Sequence, residues 1–187
     1  MAVTTLDPKT ALVVIDLQQG ILARPTVHPA ESVLRQAATL ADAFRRYALP
    51  VVLVTVTGRA PGRTEVAPVI GSSAPGWADL VPELHARAED HTITKQRWGA
   101  FTNTDLEVYL KSRGVTQVVI AGISTSIGVE STARHASEYG FNVTLAIDAM
   151  TDMSLEAHIN SVMRIFPRLG ETGTAGEILD VLAATRT

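Results

Sequence analysis

Asp16 closes the apolar run ALVVID, residues 11 to 16, so a carboxylate stands where a buried strand would end. Such a group is costly to bury unless it is paired or protonated, and open parallel sheets place their ligands at the carboxyl ends of strands. Asp16 is therefore a candidate acid or base, with a cap or turn contact to the following DLQQG as the other reading. Lys95 follows HTIT and reads either as a solvated edge charge or as a cationic partner. If the two face each other, their charges favour the ionised pair while desolvation opposes both, and they titrate together. Trp98 and Phe101, in KQRWGAF just beyond the lysine, serve either as an apolar or stacking wall or as core. The third constellation is GISTSIG, residues 122 to 128, where small residues allow backbone to approach a ligand at the start of a helix. It is not a G-x-S-x-G turn, and Ser124, Thr125, Ser126 and Ser131 read as cap or turn residues rather than nucleophiles.

The elements that must position these groups alternate along the chain. ALVVID, VVLVTV, HTIT, QVVIAGI and NVTLAID are Val- and Ile-rich runs of the kind buried on both faces of a sheet. Residues 31 to 48 place Val33, Ala37, Leu40, Phe44 and Ala48 on one helical stripe, which Pro50 then stops. Further helices are predicted from an N-cap at Thr104 to Ser112, from about Ile127 to Gly140, over about 155 to 165, and over about 175 to 184. The alternation predicts a three-layer α/β/α, Rossmann-like fold with a mainly parallel central sheet. Residues 57 to 90 interrupt it. Rich in Gly, Pro and Ser over residues 57 to 76, this connection is either an exposed excursion or subunit-packing surface, or a pocket wall carrying Arg59 or Arg63 to an anionic substrate.

Composition bounds the partners. With 187 residues and 46% hydrophobic content, the chain is expected to form a single domain over 1 to 187. A net charge of −3 without like-charge runs gives no footprint for nucleic acid or an anionic membrane. No apolar run is long enough for a membrane span and the N-terminus does not read as a signal segment, so a cytoplasmic protein is expected. The chain has no cysteine, which removes disulfides and thiolate metal sites. His28, His85, His91, His135 and His158 show no metal-ligand spacing, and the glycines of GETGTAG precede no βαβ unit, so neither a metal nor a cofactor is expected.

QVVIAGISTSIGVESTARHASEY, residues 117 to 139, resembles the signature of the isochorismatase-like hydrolases, often called cysteine hydrolases. ALVVIDLQQG at 11 to 20, TKQRWGAFTNTDLEVYLKSRGV at 94 to 115 and FNVTLAIDAMTD at 141 to 152 extend the resemblance in the family's order. It implies Asp16 as the acid/base, Lys95 as its site lysine, a cis peptide between Ile123 and Ser124, and Gly128 at the position of the nucleophilic Cys. Substrate contacts are expected from Gln18, Trp98, Phe101, Ile123, Ser124 and Ser126, in an assembly of two or more copies. The Asp-Trp-His-Pro motif of metal-binding nicotinamidase relatives is absent. Glycine has no side chain to attack a substrate, so an acyl-thioester route is closed to the sequence. Isochorismatases proper share that glycine but carry Tyr-Ala-His where this chain has Ser124, Thr125 and Ser126. The resemblance therefore implies a small-molecule hydrolase of unassigned substrate, using Asp16 with Lys95 on a vinyl ether or related C–O or C–N bond. The alternative is an inactive member that binds a small ligand or a partner.

Overall fold

The computed structural model describes residues 3 to 65 and 74 to 186. Strands β1 (Thr10–Ile15), β2 (Val51–Val56), β3 (His91–Lys95), β4 (Gln117–Ile123), β5 (Asn142–Thr151) and β6 (Glu171–Gly173) form one sheet in the order β3-β2-β1-β4-β5-β6. Every pairing is parallel, so each connection must cross the sheet, and the helices that do so cover both faces. The helices are α1 (Gln19–Leu22), α2 (Ala30–Arg46), α3 (Leu106–Ser112), α4 (Glu130–Glu138), α5 (Leu155–Asn160), α6 (Phe166–Leu169) and α7 (Ala175–Ala184).

The period-2 geometry of β1 divides its buried residues between two cores. Leu12 and Val14 pack with Leu40, Phe44, Ile178 and Leu182 from α2 and α7. Ala11, Val13 and Ile15 pack with Leu106, Leu110, Ala133 and Phe166 from α3, α4 and α6. Burial on both faces explains why β1, β2 and β4 read as continuous apolar runs rather than alternating ones, whereas β3, expected to be buried in the same way, is an edge strand that exposes Thr92 and Thr94. No helix among the described residues is long and apolar enough to cross a membrane.

Several expected boundaries move. Thr104 does not start its helix: its hydroxyl donates to the Ala100 carbonyl and accepts the Leu106 N–H at 3.3 Å, and α3 begins at Leu106. Ahead of α4, residues Thr125–Val129 are wound as a π-helical turn, and a second such turn, Ser161–Ile165, separates α5 from α6. β6 lies in GETGTAG, which carries no strand signal at three residues, and pairs with β5 from Thr144 to Ala146. A capping box between Thr174 and Glu177 then opens α7. In the long connection, residues 66 to 73 lie outside the described set; its remainder includes a single turn, Pro82–Leu84, and a bridge between Gln18 and Leu80.

Candidate active site

Asp16 is the residue by which the chain leaves β1. Its φ of 53° lies in the left-handed region, which Asp enters more readily than the β-branched residues before it, and its N–H donates to the Val54 carbonyl at 2.9 Å. Lys95 ends β3 on the far side of β2, in register with Val56. Two strand spacings, roughly 10 Å, are bridged by the lysine and aspartate side chains together. Nζ donates to Oδ2 of Asp16 at 2.7 Å and to the Arg97 carbonyl at 3.2 Å. Both residues are buried, and Oδ1 of Asp16 has no hydrogen-bond partner. Burial pushes the Asp16 carboxyl up to about 6, against the opposing pull of the Lys95 charge and hydrogen bond.

The turn after β4 completes the arrangement. Gly122 has a φ of 122°, and a Cβ there would fall 2.0 Å from the Ile15 carbonyl oxygen, so glycine is required where β4 presses on β1. The Ile123–Ser124 peptide is cis. Gly128 is buried, with its hydrogen side facing β1: a Cβ built there would stand 2.9 Å from Cγ2 of Ile15 and 3.3 Å from Oδ2 of Asp16. A side chain at 128 thus aims at the Asp16 carboxylate. Asp16, Lys95 and Gly128 share a cavity of about 800 Å³ with Trp98, Ile123, Ser124 and Ser126. Trp98 is 56% exposed, which puts its indole at the rim, while the buried acid and lysine form the floor.

The isochorismatase domain model matches residues 10–177, a span that takes in β1, β3, β4 and all three converging groups. The chain belongs to the isochorismatase family. The uncharacterized isochorismatase family protein YecD of Escherichia coli O157:H7 is 44% identical over 182 residues, covering 92% of this chain and 96% of its own. YwoC of Bacillus subtilis, an uncharacterized protein of the same family, is 39% identical over 180 residues, covering 92% and 93%. An isochorismatase family protein of Burkholderia thailandensis has a solved structure that superposes with a TM-score of 0.92 at 41% identity, covering 96% of this chain and 98% of that one.

Two expected contacts of this isochorismatase-family chain lie away from the cavity. Gln18 is fully buried and its amide is spent on backbone: Oε1 accepts the Val56 N–H at 2.7 Å, and Nε2 donates to the carbonyls of Val56 and Trp77. It ties the exit of β1 to the end of β2. Phe101 packs against the rings of His135, Tyr139 and Phe141 in the core under α3 and α4. The backbone N–H groups of the turn are partly engaged. Ser126 gives both its N–H (2.7 Å) and its hydroxyl (2.8 Å) to Oδ2 of Asp152, and the N–H groups of Ile127 and Val129 return to the Ser124 carbonyl.

Sequence reasoning missed Asp152 and Arg24, both of which line the cavity. Asp152 follows β5 directly, as Asp16 follows β1, and that parallel was the available signal. Its Oδ1 accepts the N–H groups of Met153 and Ser154, so the carboxylate is fully hydrogen-bonded. Arg24 lies in an irregular turn after α1, where periodicity carries no information. Arg59 lines the cavity from the long connection, whereas Arg63 does not. Among the described residues, no carboxylate pairs with the side chain of Arg24 or Arg59.

Proposed function

We propose that this chain hydrolyses a small molecule by acid/base chemistry at Asp16, without a covalent thiol intermediate. One observation carries the reading: the buried Asp16 carboxyl uses Oδ2 to accept Lys95 and keeps Oδ1 without a protein partner at the floor of the cavity. A carboxyl titrating near 6 holds a usable proton close to neutral pH. A vinyl ether suits such a site. The acid protonates the alkene carbon, water adds to the resulting oxocarbenium carbon, and the hemiketal collapses to a carbonyl compound and an alcohol. Lys95 stabilises the carboxylate left after proton transfer, and Gly128 keeps the position beside it free of a nucleophile. Arg24 and Arg59, without carboxylate partners among the described residues, supply counter-charge for an anionic substituent.

The test is a panel of vinyl ethers, amides and small carboxylates followed by proton NMR, with Asp16→Asn as control. Turnover by the wild type that the variant loses supports the assignment. Tight binding of a panel member without turnover by either protein would instead make the chain a ligand-binding relative.

A further inference from the structure

A second concavity, of about 320 Å³, lies at the opposite end of the sheet. Lys9 and Pro50 line it just before β1 and β2, Arg113 and Val115 just before β4, and Tyr47 and Arg186 complete it. β1 is six residues long, so roughly 20 Å separates this cavity from the Asp16 pocket at the other end of the strands.

Its charge is opposite to that of the chain. Three cations line it, and no Asp or Glu does, although the protein carries 19 acidic against 16 basic residues. The side chains of these cations meet no carboxylate among the described residues. Arg113 lies 5.4 Å from the Tyr109 ring centroid, a contact that leaves its charge uncompensated. Arg186 donates from Nη2 to the Asp7 carbonyl at 2.7 Å, which fixes the guanidinium, while its Nε is buried with no acceptor. Asp7 turns Oδ2 of its carboxylate to Thr116 Oγ1 and Asn142 Nδ2 and makes no ion pair with Arg186. Three cations without an ion-pair partner among the described residues line one concavity, and no lining carboxylate would oppose an anion placed between them.

We propose that this cavity binds a small multivalent anion, bearing phosphate or carboxylate groups, independently of the catalytic pocket. The anion bridges residues preceding three strands and the last turn of the chain, so it stabilises the native state in proportion to its occupancy. The volume accommodates an anion of the size of pyrophosphate or a tricarboxylate.

The test is isothermal titration of the full chain with pyrophosphate and, separately, with citrate, at ionic strength held constant with sodium chloride. One anion per chain is expected, with affinity falling by about tenfold or more in Lys9→Gln and in Arg113→Gln, the loss of one charge-assisted contact. Both side chains are exposed, so neither substitution disturbs the core. The Arg24→Gln/Arg59→Gln variant of the catalytic pocket should bind as the wild type does, and amide resonances of Ala48 and Val115 should shift on titration. A preference for pyrophosphate identifies phosphate as the recognised group, and a preference for citrate identifies carboxylate. The proposal is overturned if neither anion binds at millimolar concentration. It is equally overturned if binding is unchanged in both Lys9→Gln and Arg113→Gln, whether or not Arg24→Gln/Arg59→Gln abolishes it.

Discussion

Lys95 Nζ meets Oδ2 of Asp16 at 2.7 Å across 79 residues of sequence, from strand ends on either side of β2. The contact is buried at both ends and one-sided, because Oδ1 has no partner. A carboxylate accepting on both oxygens would be a poorer proton donor, since every hydrogen bond to the charged form favours it. Here burial outweighs the lysine, and the net direction is upward.

If Asp16 donates the proton, its active form is the protonated one. With the carboxyl near 6, kcat/KM for a substrate found in the panel should be level at lower pH and fall about tenfold per unit above that value. A pH profile between 5 and 8.5, corrected for any titration of the substrate, checks this. A profile rising through pH 6 would show that the ionised carboxylate is the working species.

Asp16→Asn keeps the shape of the side chain and an oxygen for Lys95, but the amide is no proton donor. The expected loss of turnover is about 10²- to 10⁴-fold, with the far-ultraviolet circular dichroism spectrum retained. Wild-type kcat in a folded Asp16→Asn protein would end the proton-donor assignment.

Lys95→Met separates the two ionisations. At neutral pH it leaves a buried carboxylate without its cation, a loss of about 3–5 kcal/mol of stability by denaturant titration. Without the lysine the folded-state carboxyl rises beyond 6, further above its ordinary 3.8. A raised pKa gives stability that is complete below the unfolded value and lost as pH climbs through the folded one. The deficit against wild type should therefore be small near pH 4 and widen through pH 6 and above. A deficit independent of pH would mean that the lysine acts through packing of its stem.

The parts of this molecule that the sequence made legible are those where burial dictates residue type over several positions. β2 and β4 have the limits read from VVLVTV and QVVIAGI, because both faces of each are covered. β6 escaped notice because three residues are too few to show a period, and partners on β5 define it more than its own composition does. At the site, Asp16 is legible because a charge beside an apolar run is costly, while Asp152, at the equivalent end of β5, was passed over. Gln18 reads as a ligand contact for a related reason: it is a polar side chain two residues beyond Asp16, while the partners of its amide, Val56 and Trp77, lie 38 and 59 residues away.

Gln18 accordingly makes a prediction about stability rather than binding. Gln18→Ala leaves the buried Val56 N–H without its acceptor and should cost about 2 kcal/mol or more by denaturant titration, with affinity for a pocket ligand unchanged. A weakened ligand with intact stability would return Gln18 to the binding surface.

Gly128→Cys asks whether position 128 holds the place of a nucleophile. The new Cβ would lie 3.3 Å from Oδ2 of Asp16, bringing the thiol within reach of that carboxylate and near the Lys95 ammonium. It would also lie 2.9 Å from Cγ2 of Ile15, which must give way, so a cost of about 1–3 kcal/mol is expected. If that cost prevents folding, Ile15→Ala in the same chain removes Cγ2 and with it the close contact. A thiol near Lys95, just ahead of the N-terminus of α4, should titrate below the free value of about 8.5 and react with iodoacetamide at pH 7 faster than an unperturbed cysteine. Mass spectrometry of the alkylated protein gives the rate, and Asp16→Asn in the Gly128→Cys background should change it. Weak amidase or esterase activity would be the stronger outcome. A folded variant whose thiol stays unreactive would mean that residue 128 does not face the substrate, and the correspondence of Gly128 with the family's nucleophile position would fail.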